Sequence, residues 1–192
     1  MNGVEEGPDG RPRCPWALGK PDYLDYHDSE WGRPLHGESE LFERLTLEAF
    51  QSGLSWLTIL RKRENFRRAF DGFDIERVAA YGDGDVARLL ADAGIIRNRK
   101  KIEAAITNAG AARELYSQNE TLDALVWGFA PDPQSRPAPR TGADLEAITP
   151  ESTAMAKELK RRGFVFVGPT TAYATMQAAG LVNDHLQGCA FR

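Results

Sequence analysis

The stretch from Leu41 to Trp56, LFERLTLEAFQSGLSW, repeats its apolar residues at helical spacing and then stops at Gly53. At about 100° per residue, Leu41, Leu45, Glu48 and Ser52 share one stripe, which puts a carboxylate on the core-facing side of an amphipathic helix. A buried carboxylate without donors costs several kcal/mol or takes up a proton. Two readings follow: an ion pair with an Arg or Lys of the chain, or a ligand that completes the site. Gly53 breaks the helix, Ser55 is placed to cap the next one, and Trp56 falls in that helix's first turn.

The rest of the chain has the same period. From Pro21 onward, helical segments alternate with Gly or Pro punctuation and few β-branched alternating runs, so the expected class is all-α. With 192 residues and 42% hydrophobic content, the chain can bury one core, as one domain or one domain with a smaller lobe. Residues 1 to 10, MNGVEEGPDG, read as a disordered acidic tail, and residues 11 to 192 as the helical domain. No apolar run is long enough to span a membrane, and the start lacks a signal peptide's basic and apolar regions, so a cytoplasmic location is expected. The net charge of −4 falls to −1 once that tail is set aside, which argues neither for nor against nucleic acid.

PDYLDYHDSEWG sets Tyr23, Tyr26, His27 and Glu30 on one helical side, a polar and aromatic face poorly suited to plain core. Trp16 precedes it and Trp31 closes it. Ser55 to Phe70 carries Arg61, Lys62, Arg63, Arg67 and Arg68, which read most simply as a solvated face. Residues 83 to 116 read as helix, tight turn and helix: the first ends at Gly94, and Asn98 caps the second. Arg97, Arg99, Lys100 and Lys101 then crowd a helix N-terminus, where positive charge opposes the macrodipole and a phosphate would relieve the conflict. The pair is either an ordinary helical hairpin or one that grips a DNA backbone without reading sequence. Thr121 to Phe129 is expected as a short helix, and PDPQSRPAPRTGAD as a surface loop. Ser152 is expected to cap the next helix and Pro169 to open the last but one segment.

Two constellations carry chemistry. Cys14, His27, His185 and Cys189 form a Cys2His2 set whose last two members, at i and i+4, would share one face of a C-terminal helix. Four such ligands suit tetrahedral zinc and leave no open position, so the metal would be structural. The spacing differs from the common finger pattern, and free buried thiols beside hydrogen-bonded histidines are the other reading. His36 reads as a surface histidine without a companion. The second constellation is Glu48 with Trp16, Tyr23, Tyr26, Trp31 and Trp56. One carboxylate among π faces suits a flat, electron-poor, preferably cationic ring that donates hydrogen bonds, such as an alkylated purine. No serine-protease arrangement, phosphate-binding glycine loop or zinc-protease motif is present.

The strings YHDSEWG, LEAFQSGLSWLTILRKRENFR, DAGIIRNRKKIEAAITNA, KRRGFVFVGPTTAYATMQAAGLVNDH and the trailing GC resemble the 3-methyladenine-DNA glycosylase I family. The likeness runs over almost everything from Cys14 to Cys189. It implies an all-α helix-hairpin-helix DNA glycosylase fold, with one structural Zn2+ held by Cys14, His27, His185 and Cys189, joining the N- and C-terminal segments. It maps a base pocket onto Glu48, Tyr26 and Trp56, with Trp16, Tyr23 and Trp31 around them. The helix-hairpin-helix corresponds to residues 85 to 105, with backbone contacts near Arg97, Arg99, Lys100 and Lys101. The Gly53-Leu54 tip corresponds to the loop that plugs the gap left by an extruded nucleotide. Where the family pattern has a polar pair before that glycine, this chain has Phe50-Gln51, which bears on how the gap is contacted.

The implied activity is excision of N3-methyladenine from double-stranded alkylated DNA by a monomer. It releases free 3-methyladenine and leaves an abasic site, with no lyase step. The base is already cationic in the DNA and departs readily, so neither leaving-group protonation nor a strong nucleophile is required, and Glu48 is expected to accept hydrogen bonds from the base edge. The competing readings are a damage sensor that binds an alkylated base without cleaving it, and a zinc-stapled interaction module.

Overall fold

The computed structural model describes residues 3–192, and the protein is mostly helical. Nine α-helices lie among the described residues: α1 (Pro21–Ser29), α2 (Glu38–Gln51), α3 (Trp56–Ala69), α4 (Ile75–Ala79), α5 (Asp83–Ala91), α6 (Arg99–Ser117), α7 (Leu122–Trp127), α8 (Pro150–Arg161) and α9 (Pro169–Ala178). The centre is α2. Every residue from Leu41 to Phe50 is buried, and this helix touches α3, α4, α6, α7 and α9. A helix enclosed on all sides buries whatever it carries, so Glu43, Arg44, Thr46 and Glu48 all lie inside.

The stop after α2 has a local cause. Ser52 ends the helix, and Gly53 takes a φ of 80°, a left-handed conformation that side chains with a Cβ resist. Ser55 then caps α3 by accepting from the Thr58 N–H at 3.3 Å. Asn98 caps α6 in the same way through the Lys101 N–H at 3.2 Å. The basic run on α3 is largely neutralised: Arg63 pairs with Glu30 at 2.5 Å, Arg67 with Glu43 at 2.8 Å, and Arg61 with Asp22 at 2.7 Å. One cap differs from expectation. Thr149 rather than Ser152 caps α8, and Ser152 sits buried inside the reciprocal capping box.

Both chain ends depart from the sequence reading. Met1 and Asn2 of the expected disordered tail lie outside the described residues. The rest of that stretch is ordered: Glu5–Glu6 pairs antiparallel with Pro12–Arg13, with Glu5 opposite Arg13. Arg13 is 2% exposed and bridges Asp9 and Asp28, while Val4 packs against a small core of Cys14, Leu186 and Cys189. At the other end, Leu181 to Arg192 is a run of turns and not a helix. Asn183, Asp184 and Gly188 favour such turns, and Gly188 has a φ of 89°.

Candidate functional site

The six residues singled out around Glu48 line one cavity of about 240 Å³: Trp16, Tyr23, Tyr26, Trp31, Glu48 and Trp56. Gln51, Ala174 and Gln177 complete it. Tyr26 and Trp56 tilt towards each other at 5.4 Å between ring centres, and Trp16 meets Trp31 edge-on at 5.0 Å and Tyr23 at 5.8 Å. These spacings are those of mutually supporting aromatic pairs, so the walls are held by their own packing. The Tyr23 hydroxyl accepts from the Leu57 N–H at 3.0 Å, which fixes α1 against the start of α3. Larger concavities exist, among them a groove of about 960 Å³ between α7 and α8, but that groove has no comparable aromatic cage around a carboxylate.

Glu48 is 6% exposed and makes no hydrogen bond or ion pair among the described residues. The simple expectation of a salt bridge is not met. Arg44, one turn earlier, directs its guanidinium to Glu30 at 3.2 Å, and its Nε and Nη1 are buried without a partner. Burial pushes the Glu48 carboxyl from 4.5 up to about 8, against the pull of the Arg44 charge. The empty pocket therefore holds a protonated acid near neutrality, and a cation entering it would favour the ionised form. The Trp56 Nε1–H is also buried without a partner.

Cys14, His27, His185 and Cys189 converge beside this cavity, all four buried, with ligand atoms within 4.8 Å of one another. His27 Nε2 lies 3.1 Å from His185 Nδ1; Cys189 Sγ is 3.6 and 3.4 Å from the two ring nitrogens, and Cys14 Sγ is 3.9 Å from His185 Nδ1. A tetrahedron with zinc-to-nitrogen and zinc-to-sulfur bond lengths has edges of about 3.3–3.8 Å, so the donor set fits a metal of that type. The outer nitrogens are already committed. His27 Nδ1 meets Asp28 at 2.8 Å and His185 Nε2 meets the Trp31 carbonyl at 2.9 Å, which turns the remaining lone pairs inward. Burial lowers the pKa of both histidines, His185 to about 4, and raises Cys14 to about 12. The imidazoles are thus neutral and ready to ligate, while the Cys14 thiol needs a cation to ionise. Gly32 is squeezed against this group: a Cβ there would sit 3.0 Å from the His185 ring. The cluster could hold a metal, and its last two members reach it from turns rather than from the helix expected.

The residues expected at a DNA surface divide. Gly53 and Leu54 form an exposed tip between α2 and α3, with Leu54 41% exposed. Arg97, Arg99 and Lys100 are exposed at the start of α6, Arg99 pairing with Glu103 at 3.3 Å. Lys101 is not among them. It is buried, and its Nζ donates to the carbonyls of Phe50 at 2.8 Å and Ser52 at 2.6 Å, closing the carbonyl end of α2. Phe50 is fully buried against Phe66 and Phe70, so its departure from the family's polar pair is absorbed in the core, whereas Gln51 lines the cavity. His36 is exposed as expected but not alone: it stacks on Trp127 at 4.4 Å and meets Asp123 at 3.1 Å.

Comparison with known proteins agrees with this geometry. A family model described as methyladenine glycosylase matches residues 16–192. The DNA-3-methyladenine glycosylase 1 of Escherichia coli K12 is 47% identical over 177 residues, covering 92% of this chain and 95% of its own. A crystal structure of a 3-methyladenine DNA glycosylase I superposes with a TM-score of 0.87 at 46% identity, covering 93% of this chain and 98% of the other. A Tyr-to-Phe variant of such an enzyme, in complex with 3-methyladenine, gives 0.85 at 34% identity, with 93% and 96% coverage. The chain belongs to the methyladenine glycosylase family, enzymes that hydrolyse N-glycosyl bonds.

Proposed function

We infer that this protein excises N3-methyladenine from double-stranded DNA. The base turns out of the duplex into the Glu48 cavity, its N-glycosidic bond is hydrolysed, and free 3-methyladenine and an abasic site result. The observation that carries this reading is a lone, unpartnered, buried carboxylate inside an aromatic cage. The glycosidic bond of a 3-methylated adenosine breaks readily because the base carries positive charge. As the bond lengthens its electron pair passes to the base, which leaves neutral, and positive charge builds on the sugar until water captures it; the protein's task is to hold the cationic base out of the duplex in position for that break. Glu48 gives up its proton to solvent as the cation enters and, ionised, accepts from the base edge. Tyr26 and Trp56 present their faces to the ring, and Trp16, Tyr23 and Trp31 hold them there and exclude bulk water. Among the described residues Glu48 is the one carboxylate that lines the cavity and no lysine amine lines it, which supports a monofunctional hydrolysis with Glu48 as acceptor and no lyase step.

The duplex is held from outside the cavity. Helices α5 and α6 with the turn between them act as the helix-hairpin-helix, where Arg97, Arg99 and Lys100 neutralise phosphates at the start of α6. The Gly53-Leu54 tip enters the gap left by the extruded nucleotide. The metal at Cys14, His27, His185 and Cys189 is zinc and, with four protein ligands, supplies structure rather than chemistry. The described residues act as one domain and as a monomer. Chromatography of the bases released from methylated duplex DNA tests the assignment. Release of 3-methyladenine is expected, and release of 7-methylguanine without it would overturn the substrate.

A further inference from the structure

One wall of the cavity belongs to neither the aromatic cage nor Glu48. Gln177, near the end of α9, lines the cavity, and its side-chain Nε2 donates to Asp184 at 2.9 Å. Asp184 is 2% exposed and also receives the Tyr173 hydroxyl at 2.5 Å and the Arg136 guanidinium at 3.0 Å. A carboxylate with such partners is an acceptor only, so it dictates which end of the Gln177 amide faces it. The NH2 group must point to Asp184, and the carbonyl oxygen Oε1 is the end left for the cavity. That oxygen makes no hydrogen bond among the described residues. The Gln177 backbone is anchored as well, its carbonyl accepting from the Gly32 N–H at 3.0 Å, next to Trp31.

We propose that Gln177 is a specificity-determining residue and Asp184 the positioning residue that keeps its carbonyl oxygen turned to the base. This rests on the reading of the cavity as a base pocket and adds the class of purine it selects. With Glu48 on one side and Gln177 Oε1 on another, the pocket offers acceptors to the ring's polar edge. A purine with an exocyclic amine at position six supplies donors to such an edge. A purine with a carbonyl there presents an acceptor against an acceptor, leaving both unpaired once the ring has displaced water. The pair of residues thus discriminates 3-methyladenine from 3-methylguanine.

Exchanging the acceptor-only carboxylate for an amide tests this directly. In Asp184→Asn, the new oxygen can keep Arg136 while the new NH2 faces Gln177, whose amide turns round and presents a donor to the cavity. The 3-methyladenine to 3-methylguanine ratio, read by chromatography of bases released from methylated duplex, is expected to fall about fivefold or more, roughly one hydrogen bond's worth. Gln177→Met keeps the length of the side chain, removes the acceptor and should lower the same ratio even if the Asp184 variant folds poorly. Metal content and melting temperature report whether each variant is folded. Variants that release 3-methyladenine with the wild-type ratio would overturn the role of Gln177. A folded wild-type protein that releases neither base would instead overturn the base-pocket reading itself.

Discussion

Trp31 and His185 form one unit: the Trp31 carbonyl accepts from His185 Nε2 at 2.9 Å, and the two rings meet edge-on at 4.8 Å. Trp16 similarly lies 5.2 Å from His27. The walls of the Glu48 cavity are therefore built on the residues that would ligate the metal, so metal loss should reach the cavity. Cys14→Ala is expected to drop the metal content from close to one atom per chain and lower the melting temperature by about 10 °C. It should also weaken quenching of Trp fluorescence by free 3-methyladenine. Unchanged quenching in a metal-free variant would separate the two sites.

Glu48 makes stability depend on pH in a defined direction. Its folded carboxyl titrates near 8 instead of 4.5, so the folded protein holds a proton that the unfolded chain has released. That contribution is complete below about pH 4.5 and is lost as pH rises through 8. Glu48→Gln should therefore be more stable than the wild type above about pH 8, by on the order of 4 kcal/mol relative to their difference near pH 4. Denaturant melts at both pH values measure it. A difference independent of pH would show that Glu48 is ionised and satisfied in the empty pocket.

Lys101 and its exposed neighbours should behave differently although they are consecutive in sequence. Arg97→Ala, Arg99→Ala and Lys100→Ala are expected to weaken duplex binding at all sequences, each lowering the slope of log affinity against log salt by about 1. Lys101→Met removes the donor to the Phe50 and Ser52 carbonyls and should leave that slope unchanged. Because it loosens the Gly53-Leu54 tip, it should slow excision from duplex several-fold while free 3-methyladenine binds as before. Fluorescence anisotropy with labelled duplex over a salt series distinguishes the two behaviours.

What could be read from the sequence followed from local chemistry. Glu48 and its aromatic neighbours stood out because polar and π residues occupied positions that helical periodicity reserves for core, and the cavity gathers all of them. Ala174 and Gln177 escaped notice because α9 is remote in sequence and a lone glutamine carries no signature until Asp184 is seen to orient it. Composition groups Lys101 with a basic run, whereas its backbone position turns it inward beside the buried Ile102. The i, i+4 spacing of His185 and Cys189 suggests a helix, but a series of turns presents the same pair to the Cys14 and His27 cluster. The acidic N-terminal stretch looked disordered by composition. Its order comes from long-range partners, Asp9 with Arg13 and Val4 with the cysteine core, which no local pattern reveals.

The central claim is that a methylated adenine is received by Glu48 and excised in its pocket. Single-turnover release of 3-methyladenine from one methylated duplex, compared between the wild type and Glu48→Gln, tests it most directly. Rapid release by the wild type is expected, with a loss of at least about tenfold in the variant, which loses the charged acceptor but stays folded. Equal rates for the two proteins would contradict it.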